Sequence, residues 1–251
     1  MQKELITVPQ IRKLLLQENL LKEIITPTDW VYTVPQEMTD LAFTSLSYDS
    51  RTADAATLFF CKGASFKESY LAAAIDQGIQ CYISETPYDN FATYGIIVTD
   101  IRETMAVIAQ AFYGHPQEQL VTIGITGTKG KTSCAYFARA ILAESTGQKV
   151  AFFSSEENSV DGKTFNEAVL TTPETLDLYK MMAEAVANGM THLVMEVSSQ
   201  AYKTKRVAGI SFDIGAFLNI SPDHIGPVEH PTYDDYLYCK RELIRNSKQM
   251  I

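Results

Sequence analysis

Between Gly124 and Phe137 the chain reads GITGTKGKTSCAYF, three glycines and two lysines set between an apolar run and a segment of helical spacing. A loop joining a buried strand to a helix start presents free N–H groups and the positive end of the helix dipole, which together attract a phosphate. Gly127 and Gly130 let the main chain come close to such a group, Lys131 would reach its outer oxygens, and the Thr132 hydroxyl suits a magnesium ion. The strict G-x-x-x-x-G-K-[ST] spacing is not met, because Ile125 stands at its first glycine. The alternative is an ordinary glycine-rich turn capping a helix. Cys134, Phe137, Ala138, Ile141 and Leu142 fall at helical spacing and are expected to form the buried face of that helix.

Downstream, HLVMEVSSQ puts Glu196 near the carboxyl end of an apolar strand, where a parallel sheet presents its ligands. The carboxylate there reads as a magnesium ligand or as one half of a structural ion pair. LTTPETLDLYKMMAEAVANG opens as a helix with a threonine cap, Pro173 in the first turn and Glu174 three residues after Thr171, and it closes at Gly189. Thr171 and Thr172 serve there either as caps or as grips on an anionic ligand. Lys203, Lys205 and Arg206 either neutralise an anionic substrate or form a solvated basic turn. In the last helix Tyr233, Tyr236, Leu237, Leu243 and Ile244 form an apolar stripe with Lys240 inside it. That lysine is either a snorkelling stem or a partly desolvated, chemically available amine. Asn219, Asp223 and His224 follow the fourth strand of this half, on the carboxyl side.

The elements that must position these groups alternate between strand and helix, so an α/β fold is expected. Residues 1–115 carry TLFFCKG, QCYISE and GIIVTD as strands, with helical patterns at FKESYLAAAIDQG and IRETMAVIAQAFYG. The opening MQKELITVPQIRKLLLQENLL reads as an amphipathic helix rather than a signal peptide. YGHPQEQ breaks the periodicity and places a hinge near His115. Residues 116–251 show LVTIGIT, KVAFFSS, HLVMEVS and FDIGAFLNI, four strands of a mostly parallel sheet, then a helix from about Thr232 to Ser247 with no further strand. The second domain is therefore expected to stop incomplete, with an exposed sheet edge. The 251 residues are 46% hydrophobic and carry a formal net charge of −9, which argues against bulk attraction to nucleic acid or to an anionic membrane. No apolar run approaches the ~18 residues of a membrane span, and the four cysteines are too widely spaced for metal pairs, so reduced thiols in a cytoplasmic protein are expected.

GITGTKGKT, TTPET, MEVSSQAYKTKR, FLNISPDH and YLYCKREL, in this order, with SYDSR in the first half, resemble the Mur ligase family, and most closely its tripeptide-forming branch in a lysine-adding form. The resemblance implies an N-terminal domain for a UDP-sugar substrate, a central ATP-binding domain cut short here, and a C-terminal amino-acid-binding domain beyond this chain. It implies addition of an amino acid to UDP-N-acetylmuramoyl-L-alanyl-D-glutamate through an acyl phosphate. On these residues it implies that Gly127, Thr128, Lys129, Gly130, Lys131, Thr132, Ser133 and Asn219 hold ATP. Thr132 and Glu196 would serve one Mg2+, while His224 and Lys240, the latter as a carbamate, would serve a second. Ser50 would contact the UDP portion, and Thr171, Thr172, Ser198 and Arg206 the muramoyl-peptide. Lys131, Glu196, His224 and Lys240 would carry the chemistry. Leu170 departs from the asparagine that family members often place before the paired threonines. The 251-residue chain alone is expected to be inactive, and a monomer is the default. The alternatives are a nucleotide-binding regulatory or interaction module, and another ligase of the superfamily such as folylpolyglutamate synthetase.

Overall fold

The first four residues of the expected N-terminal helix lie outside those that the computed structural model describes, which are 5–63, 65–88 and 93–251. Thr7 closes β1 (Ile6–Thr7) and caps α1 (Val8–Gln17): its hydroxyl accepts from the Gln10 N–H while the Gln10 side chain accepts from the Thr7 N–H. The helix therefore begins at Val8, later than its amphipathic pattern. Contacts along the chain separate into two units, Met1–Phe112 and Tyr113–Ile251. No helix among the described residues is long and apolar enough to cross a membrane.

In the first unit the strands are β2 (Leu21–Ile25), β3 (Trp30–Val31), β4 (Ala42–Phe43), β5 (Ser45–Ser47), β6 (Thr57–Phe60), β7 (Cys81–Ser84) and β8 (Tyr94–Val98), with helices α2 (Glu68–Asp76) and α3 (Ile101–Phe112). β1 and β4 pair with each other, and the rest form a sheet in the order β3-β2-β8-β7-β6-β5. β5 to β8 run parallel and β2 and β3 antiparallel. β6 and β7 are buried throughout, which is why TLFF and CYIS read as continuous rather than alternating apolar runs. Gly95 of β8 sits where a Cβ would lie 2.6 Å from the Tyr82 ring, so that aromatic fills the space glycine leaves.

The second unit comprises β9 (Val121–Thr126), α4 (Lys131–Thr146), β10 (Val150–Phe153), β11 (Glu157–Ser159), β12 (Asn166–Glu167), α5 (Thr175–Ala187), β13 (His192–Glu196), α6 (Ser199–Lys203), β14 (Phe212–Phe217), α7 (Tyr233–Arg245) and β15 (Ser247–Met250). They make a seven-stranded sheet, β12-β11-β10-β13-β9-β14-β15, parallel from β10 to β15. The four expected strands are its centre. The expectation that no strand follows the last helix is overturned: β15 pairs parallel with β14, and Ile251 N donates to Gly215 O at 2.9 Å. SKQM has no apolar alternation, because an edge strand held by main-chain bonds needs none.

Two further expectations change. Phe137 and Ile141 are about 70% exposed, whereas Ala135 and Ala143 are buried and Tyr136 and Leu142 pack on the core. The buried face of α4 is thus turned from the one its largest side chains suggest, because small residues let the helix lie close to β9, β10 and β13. In α5 the first helical residue is Thr175 and the cap position falls on Glu174 without a side-chain cap bond. Thr172 does not cap this helix; its hydroxyl donates to the Glu196 carbonyl at 3.0 Å.

Candidate functional site

β9 is flanked by β13 and β14, so the loop after Thr126, the end of β13 at Glu196 and the loop after Phe217 emerge side by side at the carboxyl edge. Gly127 has φ +157 and Gly130, at the start of α4, has φ +83, a left-handed conformation that favours glycine. The loop is braced from β14's side. Thr128 N donates to Asn219 O at 3.1 Å, Lys129 N donates to Asn219 Oδ1 at 3.1 Å, and Asn219 Nδ2 donates to Lys129 O at 3.0 Å. Asn219, expected among the nucleotide contacts, here clasps the backbone of the loop. Thr128 is buried, its hydroxyl taking the Ser221 N–H and meeting the Tyr236 hydroxyl at 3.1 Å.

Two lysines converge on one carbonyl. Lys131 Nζ donates to Gly127 O at 3.0 Å, and Lys240 Nζ donates to the same oxygen at 2.7 Å. Lys240 arrives there because α7 packs tightly on the sheet: a Cβ on Gly124 would lie 2.9 Å from Phe212 and 3.0 Å from Leu243, one turn along from Lys240. Lys240 is only 2% exposed, buried with Tyr236, Cys239 and Leu243, while Ile244 of the expected stripe is exposed. Burial first, and then the neighbouring Lys131, lower its amine to about 7. Burial also lowers Lys131, although Glu196 opposes the shift.

Glu196 is fully buried. Its Oε1 accepts from Ser155 N and Ser155 Oγ, each at 3.0 Å, and Ser155 Oγ lies 3.1 Å from Thr132 Oγ1. Its Oε2 has no partner. An unpartnered buried carboxylate oxygen, linked through one serine to the hydroxyl at the start of α4, is a hard oxygen donor set of the kind Mg2+ takes. Lys131, Leu170, Thr171, Ser198, Arg206, His224 and Lys240 all line a pocket of about 280 Å3 on this edge. His224, in left-handed conformation at φ +56, meets Glu229 at 2.9 Å through Nδ1. Arg206 pairs with Glu174 at 2.8 Å and donates to Thr172 O at 3.2 Å, tying the TTPET segment to the pocket wall. Ser198 caps α6 and its N–H donates to Thr172 Oγ1. Ser133 is exposed on α4, and Ser50 opens a short 3-10 turn in the first unit.

The sequence reading missed Ser155, Gln200 and Glu229. Gln200 also lines the pocket, with its Nε2 buried and unpartnered, as is Arg206 Nε. For Gln200 the signal lay inside VSSQ, two residues beyond a serine already singled out. Ser155 carried none, because the turn between β10 and β11 brings it to Glu196 across 41 positions.

Residues 125–250 match the Mur ligase middle domain. The UDP-N-acetylmuramoyl-L-alanyl-D-glutamate–L-lysine ligase of Enterococcus faecalis is 58% identical over 241 residues, covering 96% of this chain and 47% of that protein. The ligase of the same name from Streptococcus pyogenes is 52% identical over 247 residues, covering 98% and 50%. The chain thus spans about half the length of the curated relatives it matches. Among solved structures, a UDP-N-acetylmuramoyl-L-alanyl-D-glutamate–2,6-diaminopimelate ligase superposes with a TM-score of 0.71 at 23% identity, over 87% of this chain and 44% of that one. That likeness concerns the fold.

Proposed function

Because the chain belongs to the Mur ligase family, we propose that its protein is an ATP-dependent, ADP-forming ligase, and that, in keeping with the names of its relatives, it joins L-lysine to UDP-N-acetylmuramoyl-L-alanyl-D-glutamate. The observation that carries this reading is the carboxyl edge of the second sheet, where the glycine loop and a buried carboxylate with a free oxygen emerge side by side, and where Lys131 and the buried amine of Lys240, lowered to about 7, line one pocket.

In this reading the main-chain N–H groups from Gly130 to Ser133 and the Lys131 amine hold the triphosphate, those of Thr128 and Lys129 being given to Asn219, and Lys131 leaves Gly127 O to do so. Thr132 and Glu196 hold one Mg2+, which supplies charge neutralisation between phosphate and carboxylate oxygens. Lys240, its amine lowered to about 7 by burial, is able to take up carbon dioxide in its uncharged form, and as a carbamate beside His224 would hold a second Mg2+. Thr171, Ser198 and Arg206 receive the acidic peptide end of the substrate, so that its terminal carboxylate meets the γ-phosphate, while Thr172, expected beside them, is buried and braces the end of β13 instead. Ser50 and the first unit receive the UDP portion. The substrates, ATP and a cell-wall precursor, place the work in the cytoplasm.

Titration calorimetry with Mg-ATP and, separately, with UDP-N-acetylmuramoyl-L-alanyl-D-glutamate tests this. Binding of both is expected. A nucleotide-binding module would take the first and ignore the second, and binding of neither would end the ligase reading.

A further inference from the structure

Ser199, His230 and Asp235 form a hydrogen-bonded chain that none of the roles above uses. His230 Nε2 lies 2.8 Å from Ser199 Oγ, and His230 Nδ1 lies 2.6 Å from Asp235 Oδ2. His230 is fully buried, Asp235 sits in the first turn of α7, and Ser199 begins α6 directly beyond the end of β13. Ser199 also lines the pocket, together with Thr171, Arg206 and Lys240.

The surroundings of His230 fix where its protons sit. From α7 it meets Asp235, the Tyr236 ring at 5.2 Å and the Cys239 thiol; from α6 it meets Ser199, with Lys203 behind Asp235 at 2.6 Å. The neighbouring Glu229 is engaged with His224. Lys203 first, and His230 with it, hold the Asp235 carboxyl below its ordinary range against the effect of burial. An ionised carboxylate only accepts, so Nδ1 carries a proton toward Asp235, and in the neutral imidazole Nε2 presents its lone pair to Ser199. The Ser199 O–H must then donate to Nε2, and the oxygen's own lone pairs remain for a donor in the pocket. A cation among His230, Asp235 and Cys239 would have to break the 2.6 Å bond, and burial raises the Cys239 thiol, which keeps its proton.

We propose that Ser199, His230 and Asp235 are a proton relay for amide formation, which rests on the ligase reading above. As the amine nitrogen bonds to the acyl phosphate carbon, its proton passes to Ser199 Oγ while the Ser199 proton passes to His230 Nε2. The C–O bond to phosphate breaks, and the electron pair leaves with the phosphate. His230 returns its proton through Ser199 to that phosphate, and Asp235 stabilises the transient imidazolium.

The test separates two half-reactions in the whole ligase: acyl phosphate formation, trapped with hydroxylamine, and transfer to lysine. Ser199→Ala is expected to slow lysine transfer by roughly 10²–10⁴-fold, and trapping far less, since hydroxylamine is a weakly basic nucleophile that sheds its proton readily. Ser199→Thr, which keeps a hydroxyl, is expected to recover most of the loss. His230→Gln, which removes the base behind Ser199, is expected to slow transfer and to leave trapping far less affected; should that variant not fold, the two serine variants decide. Equal loss in both half-reactions, or unchanged transfer in Ser199→Ala, overturns the relay. A parent enzyme that forms no trappable acyl phosphate overturns the ligase reading, and the relay falls with it.

Discussion

The turn from Ser47 to Thr52 in the first unit and the cleft around Glu196 in the second are built from the same materials, hydroxyls and carboxylates just past the ends of parallel strands, and they use them in opposite ways. In the turn, Ser47 Oγ bonds the Asp49 main chain and Thr52 Oγ1, and the Asp49 carboxylate takes the Arg51 N–H and its guanidinium. These groups are close to water and answered locally. In the cleft, Glu196 Oε2, Gln200 Nε2 and Arg206 Nε are buried and unanswered. Leaving a buried polar atom unpaired costs about 1–3 kcal/mol, so such atoms gathered at one edge mark a place shaped for something that completes them.

The largest expected effect tests whether Glu196 is completed by a metal. Glu196→Ala should abolish the magnesium-dependent part of ATP binding, a loss on the order of 100-fold in calorimetry, as for other metal-site changes. Unchanged magnesium dependence would erase the contrast between cleft and turn.

Next comes Lys240. Its folded value of about 7 lies below the ordinary 10.5, so between those values the unfolded chain holds a proton that the folded chain lacks. Stability should therefore rise with pH across that window, by up to ~1.4 kcal/mol per pH unit, and level off below pH 7 where both states are protonated. Urea denaturation of the parent should show this rise, and Lys240→Met should reduce it, Lys131 keeping its own share.

A smaller effect compares the two sheets. Gly124→Ala would push a methyl to 2.9 Å from Phe212, and Gly95→Ala would push one to 2.6 Å from Tyr82; each should destabilise by roughly 1–3 kcal/mol. Gly124→Ala should also weaken ATP binding by shifting α7 and Lys240, whereas Gly95→Ala should act on the melting temperature alone. Smallest of all, Asp49→Asn should leave the unfolding midpoint of the chain within replicate scatter, as for an exposed pair that water replaces.

What the sequence disclosed follows the same division. The strand leading into Gly127, the strand bearing Glu196 and the oddly placed Lys240 were legible because apolar periodicity makes any polar intruder conspicuous. Phe137 and Ile141 misled, since size and spacing favoured them while close packing chose Ala135 and Ala143. TTPET has the grammar of a cap, yet Thr172 is spent on the end of β13, a contact that only the folded sheet creates. β15 was silent because main-chain bonds and one ion pair, Lys248 with Asp213 at 2.8 Å, hold it and leave no apolar pattern, and Ser155 because long-range turns leave no local trace.

The carbonyl of Gly127, held by two amines at once, has a consequence for how the loop meets its guest. A loop whose carbonyl is held by two of the chain's own amines is braced by the fold itself, so under the proposed function a triphosphate exchanges one amine contact for another instead of ordering a coil. The entropy of organisation then falls to folding, and the encounter is little more than an exchange of counter-charges.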